Sequence, residues 1–161
     1  MVRLFKALRR GVPVGILTDL TLKLRDPAAI IDAFGMKMRV TLLHGVLHER
    51  TRSPILPFIT LPTENGGYLV RILPALHFPE GTPYEEIAQV CWNQFEPIIR
   101  ASKENWLWVY KHWRYEPSQS ERSYPFYAKK SAQFDQELEA QAKQGQPESI
   151  TNPEIFGPNS G

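Results

Sequence analysis

The stretch Val12-Pro-Val-Gly-Ile-Leu-Thr-Asp19 decides the fold class that the sequence predicts. It is nearly continuously apolar from Val12 to Leu17 and ends in Thr18-Asp19. Such a run is typical of a strand that is covered on both faces, and strands of this kind belong to mostly parallel sheets. The sequence therefore predicts an α/β fold with a mostly parallel sheet, a hairpin and flanking helices.

The elements on either side of this stretch follow from residue spacing. Arg3 to Arg10 has the pattern of a helix end, and Gly11 supplies its stop. A short second strand is predicted over Ala29 to Asp32. A helix is predicted over Val40 to His48, where apolar residues recur at helical spacing, and Ser53-Pro54 ends it.

A hairpin is predicted next. Ile55 to Leu61 and Tyr68 to Leu73 both read as strands, and Asn65-Gly66-Gly67 lies between them. Glycine and asparagine accept the backbone angles that a reversal of the chain requires. We therefore expect these two strands to pair antiparallel through a longer loop.

The second half of the chain begins with a helix signal at Thr82-Pro83-Tyr84-Glu85, where Thr82 can cap and Glu85 can complete a capping box. One apolar stripe follows at spacings of three and four: Tyr84, Ile87, Cys91, Phe95 and Ile98. Pro97 is expected to kink or end this helix near Asn93. A second short helix is predicted from Asn105 to Trp113.

The composition changes at Pro117, after which Ser, Gln, Glu and Lys dominate. We therefore divide the chain into a domain over 1–117 and a polar tail over 118–161. The tail is predicted to be helical across Lys129 to Gln144 and otherwise mobile.

Composition excludes several classes of protein. The 161 residues are 42% hydrophobic and 22% charged, which is enough apolar material for a core and rules out disorder throughout. The single cysteine, Cys91, cannot form an intramolecular disulfide or a Cys-based metal cluster. No apolar run approaches the roughly 20 residues of a membrane-spanning helix. We expect a soluble or peripheral intracellular chain.

Charge is distributed unevenly along the chain. Residues 1–52 hold ten Lys or Arg against four acidic residues, whereas the remainder holds nine against thirteen. A basic segment can bind anionic lipid, an acidic carrier protein or nucleic acid, or can simply be a solvated face. Nucleic acid is not expected, because no groove-reading motif accompanies the charge. The residues expected to contact a membrane or carrier protein are Arg3, Lys6, Arg9 and Arg10.

His44 and Glu49 formally satisfy the pattern His-x4-Glu. In that pattern an imidazole can act as base toward a hydroxyl while a carboxylate fixes its tautomer. However, both residues lie on the predicted helix, where positions five apart do not face each other well. A polar helix face with His48 and Glu49 in water, and no catalytic role, is therefore the favoured interpretation.

Two other strings carry possible chemistry. Phe78-Pro-Glu-Gly-Thr82 spells most of the phosphate-binding motif of glycerolipid acyltransferases, but its order in the chain is wrong, and a turn into the helix is favoured. The aromatic run from Trp106 to Tyr115 could stack nucleic-acid bases, but a core helix with an amphipathic rim is favoured. Cys91 belongs to the apolar stripe and is expected to be a buried, inert thiol.

Taken in order, several segments resemble the second half of the bacterial lipid A biosynthesis (lauroyl/myristoyl) acyltransferases, a branch of the lysophospholipid acyltransferases. The resemblance covers about residues 3–117, and the segments that carry it are Gly11–Asp19, Ile30–Gly35, Thr41, Ser53–Phe58, Gly67–Ile72, Glu104–Trp108 and His112–Arg114. It implies a fold like that of the glycerol-3-phosphate acyltransferases. It also implies transfer of a fatty acyl group from acyl carrier protein or acyl-coenzyme A to a hydroxyl of a membrane lipid.

The same resemblance bears on the site residues. The catalytic His-x4-Asp/Glu of the family corresponds to a position upstream of this sequence, and His44 falls where the family usually has a small residue. Only Asp19 matches a position that the family uses in its active site, and its alternative role is to cap the turn after a strand. We therefore expect an inactive fragment that lacks its N-terminal half and lies at the cytoplasmic face of a bacterial inner membrane. No metal or redox cofactor is implied.

Overall fold

A computed structural model describes residues 2–20 and 22–144. The elements in chain order are α1 (Val2–Arg9), β1 (Ala28–Ala33), β2 (Met36–Thr41), α2 (Leu43–Thr51), β3 (Phe58–Pro62), β4 (Tyr68–Ile72), α3 (Tyr84–Ala101), a 3-10 turn (Lys103–Asn105), β5 (Tyr115–Glu116), β6 (Lys129–Lys130) and α4 (Ala132–Gln144). The fold is a mixture of helices and small sheets, so the α/β class is confirmed.

The first hairpin, β1–β2, pairs antiparallel from Ala28 opposite Thr41 to Ala33 opposite Met36. Phe34-Gly35 forms its two-residue loop, and both residues have positive φ, at 53° and 77°. Two positive φ values match the twist of a tight hairpin, although such values are uncommon for phenylalanine. The ring of Phe34 packs on a cluster of tryptophan rings, which favours this conformation.

The second hairpin, β3–β4, confirms the prediction from the sequence. Phe58 pairs with Ile72 and Pro62 with Tyr68, both antiparallel. An additional bridge between Ile55 and Leu76 extends the pairing beyond the two strands.

The prediction of a mostly parallel sheet is wrong. In the described part of the chain, both main pairs are antiparallel, and the parallel pair β5–β6 has two residues in each strand. Val12 to Leu17 forms no strand and crosses the surface as an irregular segment with Val12 and Leu17 exposed. Pro13 lacks a backbone N–H and Gly15 weakens extended pairing, so apolar character alone did not produce a ladder here.

Side chains, rather than a neighbouring strand, cover the free edge of β1. The Gln89 amide from α3 both donates to and accepts from the backbone of Asp32, at 3.0 and 2.7 Å. The Gln141 amide from α4 makes the same pair of bonds with Ile30, at 2.6 and 3.0 Å. An open strand edge can pair with another chain. These amides occupy the hydrogen-bonding groups of the β1 edge, to which the predicted parallel sheet would have added a further strand.

The core lies between the first hairpin and α3. Its buried members are Ala29, Ile31, Ala33, Met38, Val40, Ala88, Trp92, Ile99 and Trp113. The predicted helix end near Asn93 is wrong, because α3 continues through Pro97 to Ala101. Trp92 and Ile99 pack into the core on either side of the proline, and this packing holds both halves in one helix.

Two further predictions on local structure are wrong. Thr82 does not cap α3: its hydroxyl donates to the Pro79 carbonyl at 2.8 Å, and Pro83 precedes the helix. The segment from Asn105 to Trp113 is not a helix, since only the 3-10 turn precedes a series of turns there. Its tryptophan rings contact one another and Phe34, and this ring packing overrides the helical spacing.

Although Lys129 and Lys130 form β6, the helix predicted across Lys129 to Gln144 is present from Ala132 as α4. Its Phe134 is completely buried, and its Glu137 carboxylate binds the guanidinium of the buried Arg39 on β2 at 2.7 Å. Arg39 also donates to the backbone carbonyls of Lys23, Leu24 and Asp26, so it joins α4, β2 and the segment before β1. The division of the chain at residue 117 stays a prediction, and residues 145–161 of the predicted tail lie outside the described residues.

Within residues 2–20 and 22–144, no helix has both the length and the apolar character needed to cross a membrane.

Candidate functional site

A largely apolar cleft of about 760 Å³ lies between the irregular segment 12–19, α2, β3 and α3. Pockets that hold small ligands have volumes of about 300–1,000 Å³ and are lined mainly by apolar side chains with few polar groups. The polar and titratable residues on its wall include Asp19, His44, His48 and Cys91. These four residues are the candidates for chemistry in the cleft.

Asp19 lies at the end of the irregular segment, where two aromatic residues hold it. The indole N–H of Trp106 donates to the Asp19 carboxylate at 3.3 Å. The Nδ1 atom of His112 lies 3.0 Å from the Asp19 backbone carbonyl, and the rings of Trp106 and His112 stack with centroids 4.1 Å apart. The cleft therefore has a half-buried carboxylate with a fixed orientation. Sequence reasoning missed both partners, because 87 and 93 residues separate them from Asp19.

His44 lies on α2 and is buried, with 6% of its surface exposed. Neither of its ring nitrogens has a hydrogen-bond partner among residues 2–20 and 22–144. Burial lowers the pKa of His44 to about 4, because a charged imidazolium loses its hydration there. The side chain is therefore a neutral imidazole at pH 7.

Glu49 does not support His44. Its carboxylate is exposed and accepts a hydrogen bond from the hydroxyl of Tyr84, and this bond raises the pKa of Tyr84. The pair His44 and Glu49 thus lacks the base–acid contact that general-base catalysis requires. This arrangement agrees with a non-catalytic interpretation, but the expected solvation of His48 is wrong, because His48 is buried like His44 and Glu49 is the exposed residue.

The surroundings of Cys91 and His48 indicate structural roles for these two side chains and not catalytic ones. Burial raises the pKa of the Cys91 thiol to about 12, which keeps it protonated and unreactive, as the sequence indicated. His48 has its Nδ1 atom 2.8 Å from the Ser53 carbonyl and its ring edge-on to Phe78. Both contacts fix the chain around the entry to β3.

The string Phe78–Thr82 forms a turn, as favoured from the sequence. The Thr82 amide donates to the Pro79 carbonyl at 3.3 Å, and Gly81 has a φ of 80°. Glu80 pairs with Arg52 at 2.7 Å. These contacts are local and give no indication of a phosphate site.

The profile of the bacterial lipid A biosynthesis acyltransferases matches residues 1–115. The chain belongs to this family. No curated protein sequence matches the chain significantly. The family match includes α1, the irregular segment and every residue that lines the cleft, whereas α4 lies beyond it.

The basic residues predicted to contact a membrane or carrier protein lie on or next to α1 in this acyltransferase-family chain. All four are exposed: Arg3, Lys6, Arg9 and Arg10. Leu8 and Gly11 from the same region line the cleft. The positive charge therefore lies beside the cleft, where an anionic ligand or surface would meet it first.

Proposed function

We propose that this chain takes part in transfer of a fatty acyl group to a hydroxyl of a membrane lipid, such as a lipid A precursor or a lysophospholipid. The acyl donor is acyl carrier protein or acyl-coenzyme A, and the apolar cleft holds the acyl chain. The observation that carries the proposal is the cleft itself, which lies wholly within the part of the chain that matches the acyltransferase family. An apolar wall with few polar groups suits a hydrocarbon chain with one reactive end.

The chemistry needs a base for the acceptor hydroxyl. Once deprotonated, the oxygen attacks the thioester carbonyl, a tetrahedral oxyanion forms, and the thiolate of the donor leaves and takes up a proton. No metal or redox cofactor is required in this sequence of steps. Because His44 has no acid partner, we propose that the base comes from a separate N-terminal half that carries the His-x4-Asp/Glu motif and completes a glycerol-3-phosphate-acyltransferase-like fold.

We assign Asp19 the role of an active-site acid that faces the reacting end of the donor. Its contacts support this role, because Trp106 binds the carboxylate and His112 holds the Asp19 backbone on the cleft wall. The complete enzyme would act at the cytoplasmic face of a bacterial inner membrane, where acyl donors in solution meet the lipid acceptor.

Acyl transfer by the purified chain, alone and with a co-expressed N-terminal half, tests the proposal. The chain alone should show no transfer from acyl carrier protein or acyl-coenzyme A, because general-base help is worth roughly 10²–10⁴-fold. Activity should appear with the added half and fall in Asp19→Asn. Robust transfer by the chain alone that is lost in His44→Ala and retained in Asp19→Asn would refute the proposed division of roles.

A second candidate function is binding without catalysis, to anionic membrane or to acyl carrier protein. It is supported by the four exposed cations on and beside α1. Vesicle co-sedimentation should weaken strongly between low and about 0.5 M salt, because screening shortens the reach of exposed charges. Binding that ignores both salt and lipid charge would remove this candidate.

A further inference from the structure

Two β-turns in the second half of the chain have apolar residues at their centres. The first, Leu107–Tyr110, is closed by a hydrogen bond of 3.1 Å and places Trp108-Val109 at its centre. The second, Pro125–Ala128, is closed by a bond of 2.8 Å and places Phe126-Tyr127 at its centre. Turn centres usually hold Gly, Asn, Asp or Ser, so the local backbone does not account for these residues.

Three apolar side chains of these turns extend into solvent. Phe126 is 99% exposed, Val109 is 85% exposed and Leu107 is 62% exposed. A single exposed apolar side chain is normal, but several on neighbouring turns indicate an interaction surface. None of these three side chains lines the large apolar cleft or the smaller pocket beside Ile59 and Trp106.

The two turns belong to one surface. The first precedes β5 and the second precedes β6, and the beginnings of two parallel strands lie at the same end of the pair. The Lys129 amide donates to the Arg114 carbonyl at 3.0 Å, and the Lys111 ammonium lies 5.9 Å from the centre of the Tyr127 ring. We name these two turns, Leu107–Tyr110 and Pro125–Ala128, the turn ridge.

The surroundings of the turn ridge carry net positive charge. Residues 103–130 include six Lys or Arg against three acidic residues, which are Glu104, Glu116 and Glu121. Lys111 follows the first turn and Lys129 follows the second, and both are exposed. Lysine beside an apolar tip can keep its ammonium at the level of lipid phosphates while its carbon chain lies along the apolar region.

We propose that the turn ridge inserts into the interfacial region of an anionic lipid bilayer. Val109, Phe126 and Leu107 enter below the headgroups, and the indole of Trp108 lies at the headgroup level, where tryptophan is enriched. A protruding tip suits a fluid phase, which needs no matching recess, better than it suits a shaped protein partner. This contact is separate from the cations of α1 and from acyl transfer, and it adds an apolar component that salt does not weaken.

Vesicle flotation with the full chain tests the proposal, using phosphatidylcholine vesicles that contain phosphatidylglycerol. In about 0.5 M salt, where exposed charges are screened, wild-type chain should still partition onto the vesicles. The double variant Val109→Asp/Phe126→Asp should lose about tenfold or more in partitioning. The reason is that the two apolar side chains that pass from water into the bilayer in the wild type are absent. The double variant Gln119→Asp/Ser123→Asp, two exposed changes nearby that add the same charge, is the control and should bind like wild type.

Depth of insertion gives a second readout. Trp108 is 43% exposed, Trp106 is half-buried in the cleft wall, and Trp92 and Trp113 are buried, so lipids brominated on the acyl chain should quench Trp108 most strongly. Trp108→Phe should remove the quenched fraction. Circular dichroism should show that all variants remain folded, because Val109 and Phe126 face solvent and Trp108→Phe keeps an aromatic ring in contact with Phe34 and its neighbours.

The proposal is overturned if the double variant binds as wild type does, or if binding disappears entirely in about 0.5 M salt, which would assign it to exposed charge alone. It is also overturned if vesicles capture no protein and sedimentation shows a dimer that Val109→Asp disperses, since a second copy would then cover the turn ridge. Flotation requires neither acyl donor nor acceptor, so its result is independent of the proposed enzymatic activity.

Discussion

The two antiparallel hairpins have similar composition and opposite surroundings. β1 reads Ala-Ala-Ile-Ile-Asp-Ala and is buried at four of its six positions, whereas β4 reads Tyr-Leu-Val-Arg-Ile and is exposed at all five. The difference arises from what covers them. α3 packs on the β1–β2 hairpin, and glutamines of α3 and α4 bind the free edge of β1. The β3–β4 hairpin instead lies beside an open apolar cleft. Stability should therefore be concentrated in the first hairpin, and binding in the second.

The largest expected effect tests this comparison with two isoleucines. Ile31 in β1 is 2% exposed, and Ile72 in β4 is 67% exposed. Ile31→Ala should lower the free energy of unfolding by about 2–5 kcal/mol, because it leaves a cavity in a packed core. Ile72→Ala should change it by less than about 0.5 kcal/mol. Urea unfolding followed by tryptophan fluorescence measures both, and equal losses would contradict the division into a stable and a binding hairpin.

The next effect concerns pH at the cleft wall. The pKa of His44 is about 4 in the folded chain and 6.5 when unfolded, so between these values the unfolded chain binds a proton that the folded chain does not. Stability should thus fall as the pH drops from about 6.5 to about 4, by about 3 kcal/mol in total, with no further loss from this group below pH 4. Above pH 6.5 His44 should contribute no pH dependence.

His44→Leu isolates this contribution from that of the carboxylates. The difference in unfolding free energy between variant and wild type should grow as the pH falls, while His77→Ala, which alters an exposed histidine, should leave the wild-type pH profile unchanged. Parallel pH profiles for wild type and His44→Leu would show that His44 is hydrated or partnered in solution.

A smaller effect tests the edge of β1. Gln141→Ala removes both hydrogen bonds to the Ile30 backbone and should cost about 1–3 kcal/mol, because a backbone donor and acceptor lose their partners. Gln136→Ala, an exposed glutamine on the same helix, should cost less than about 0.5 kcal/mol. Thermal unfolding of the two variants compares them directly. Equal stability would mean that water replaces the amide at this edge.

Local signals in the sequence predicted the local elements well. Asn65-Gly66-Gly67 predicted the second hairpin, and the apolar stripe predicted α3, because turn chemistry and helical periodicity act over a few residues. The ordered family-like segments also predicted the acyltransferase family, which the profile match confirms. The predictions that failed concerned features that depend on contacts between residues far apart in the sequence. The parallel sheet was inferred from Val12 to Leu17 alone, while the glutamines that close the edge of β1 lie on α3 and α4.

The sequence predicted which residue types belong to the candidate site, but it did not predict how they are arranged in space. Asp19 was singled out from the sequence, and its role stays a prediction, but nothing in the spacing could place Trp106 and His112 around it. The aromatic run was assigned to a helix, since its rings recur at helical spacing. In the structure ring–ring contacts determine the backbone there instead, and they bring Trp106 to the Asp19 carboxylate.

The smallest expected effect separates His44 from Glu49. Tyr84→Phe removes the hydroxyl that donates to Glu49 and should change the unfolding free energy by less than about 0.5 kcal/mol, because both groups reach solvent and water replaces the bond. The pKa of His44, followed by NMR of its ring protons, should stay near 4, since burial and not a neighbouring carboxylate sets it. Were Glu49 released by this change to pair with His44, its negative charge would favour the imidazolium and raise the pKa of His44. Such a rise would show that His44 and Glu49 can pair, and His44 would then become a candidate base to be tested by acyl transfer.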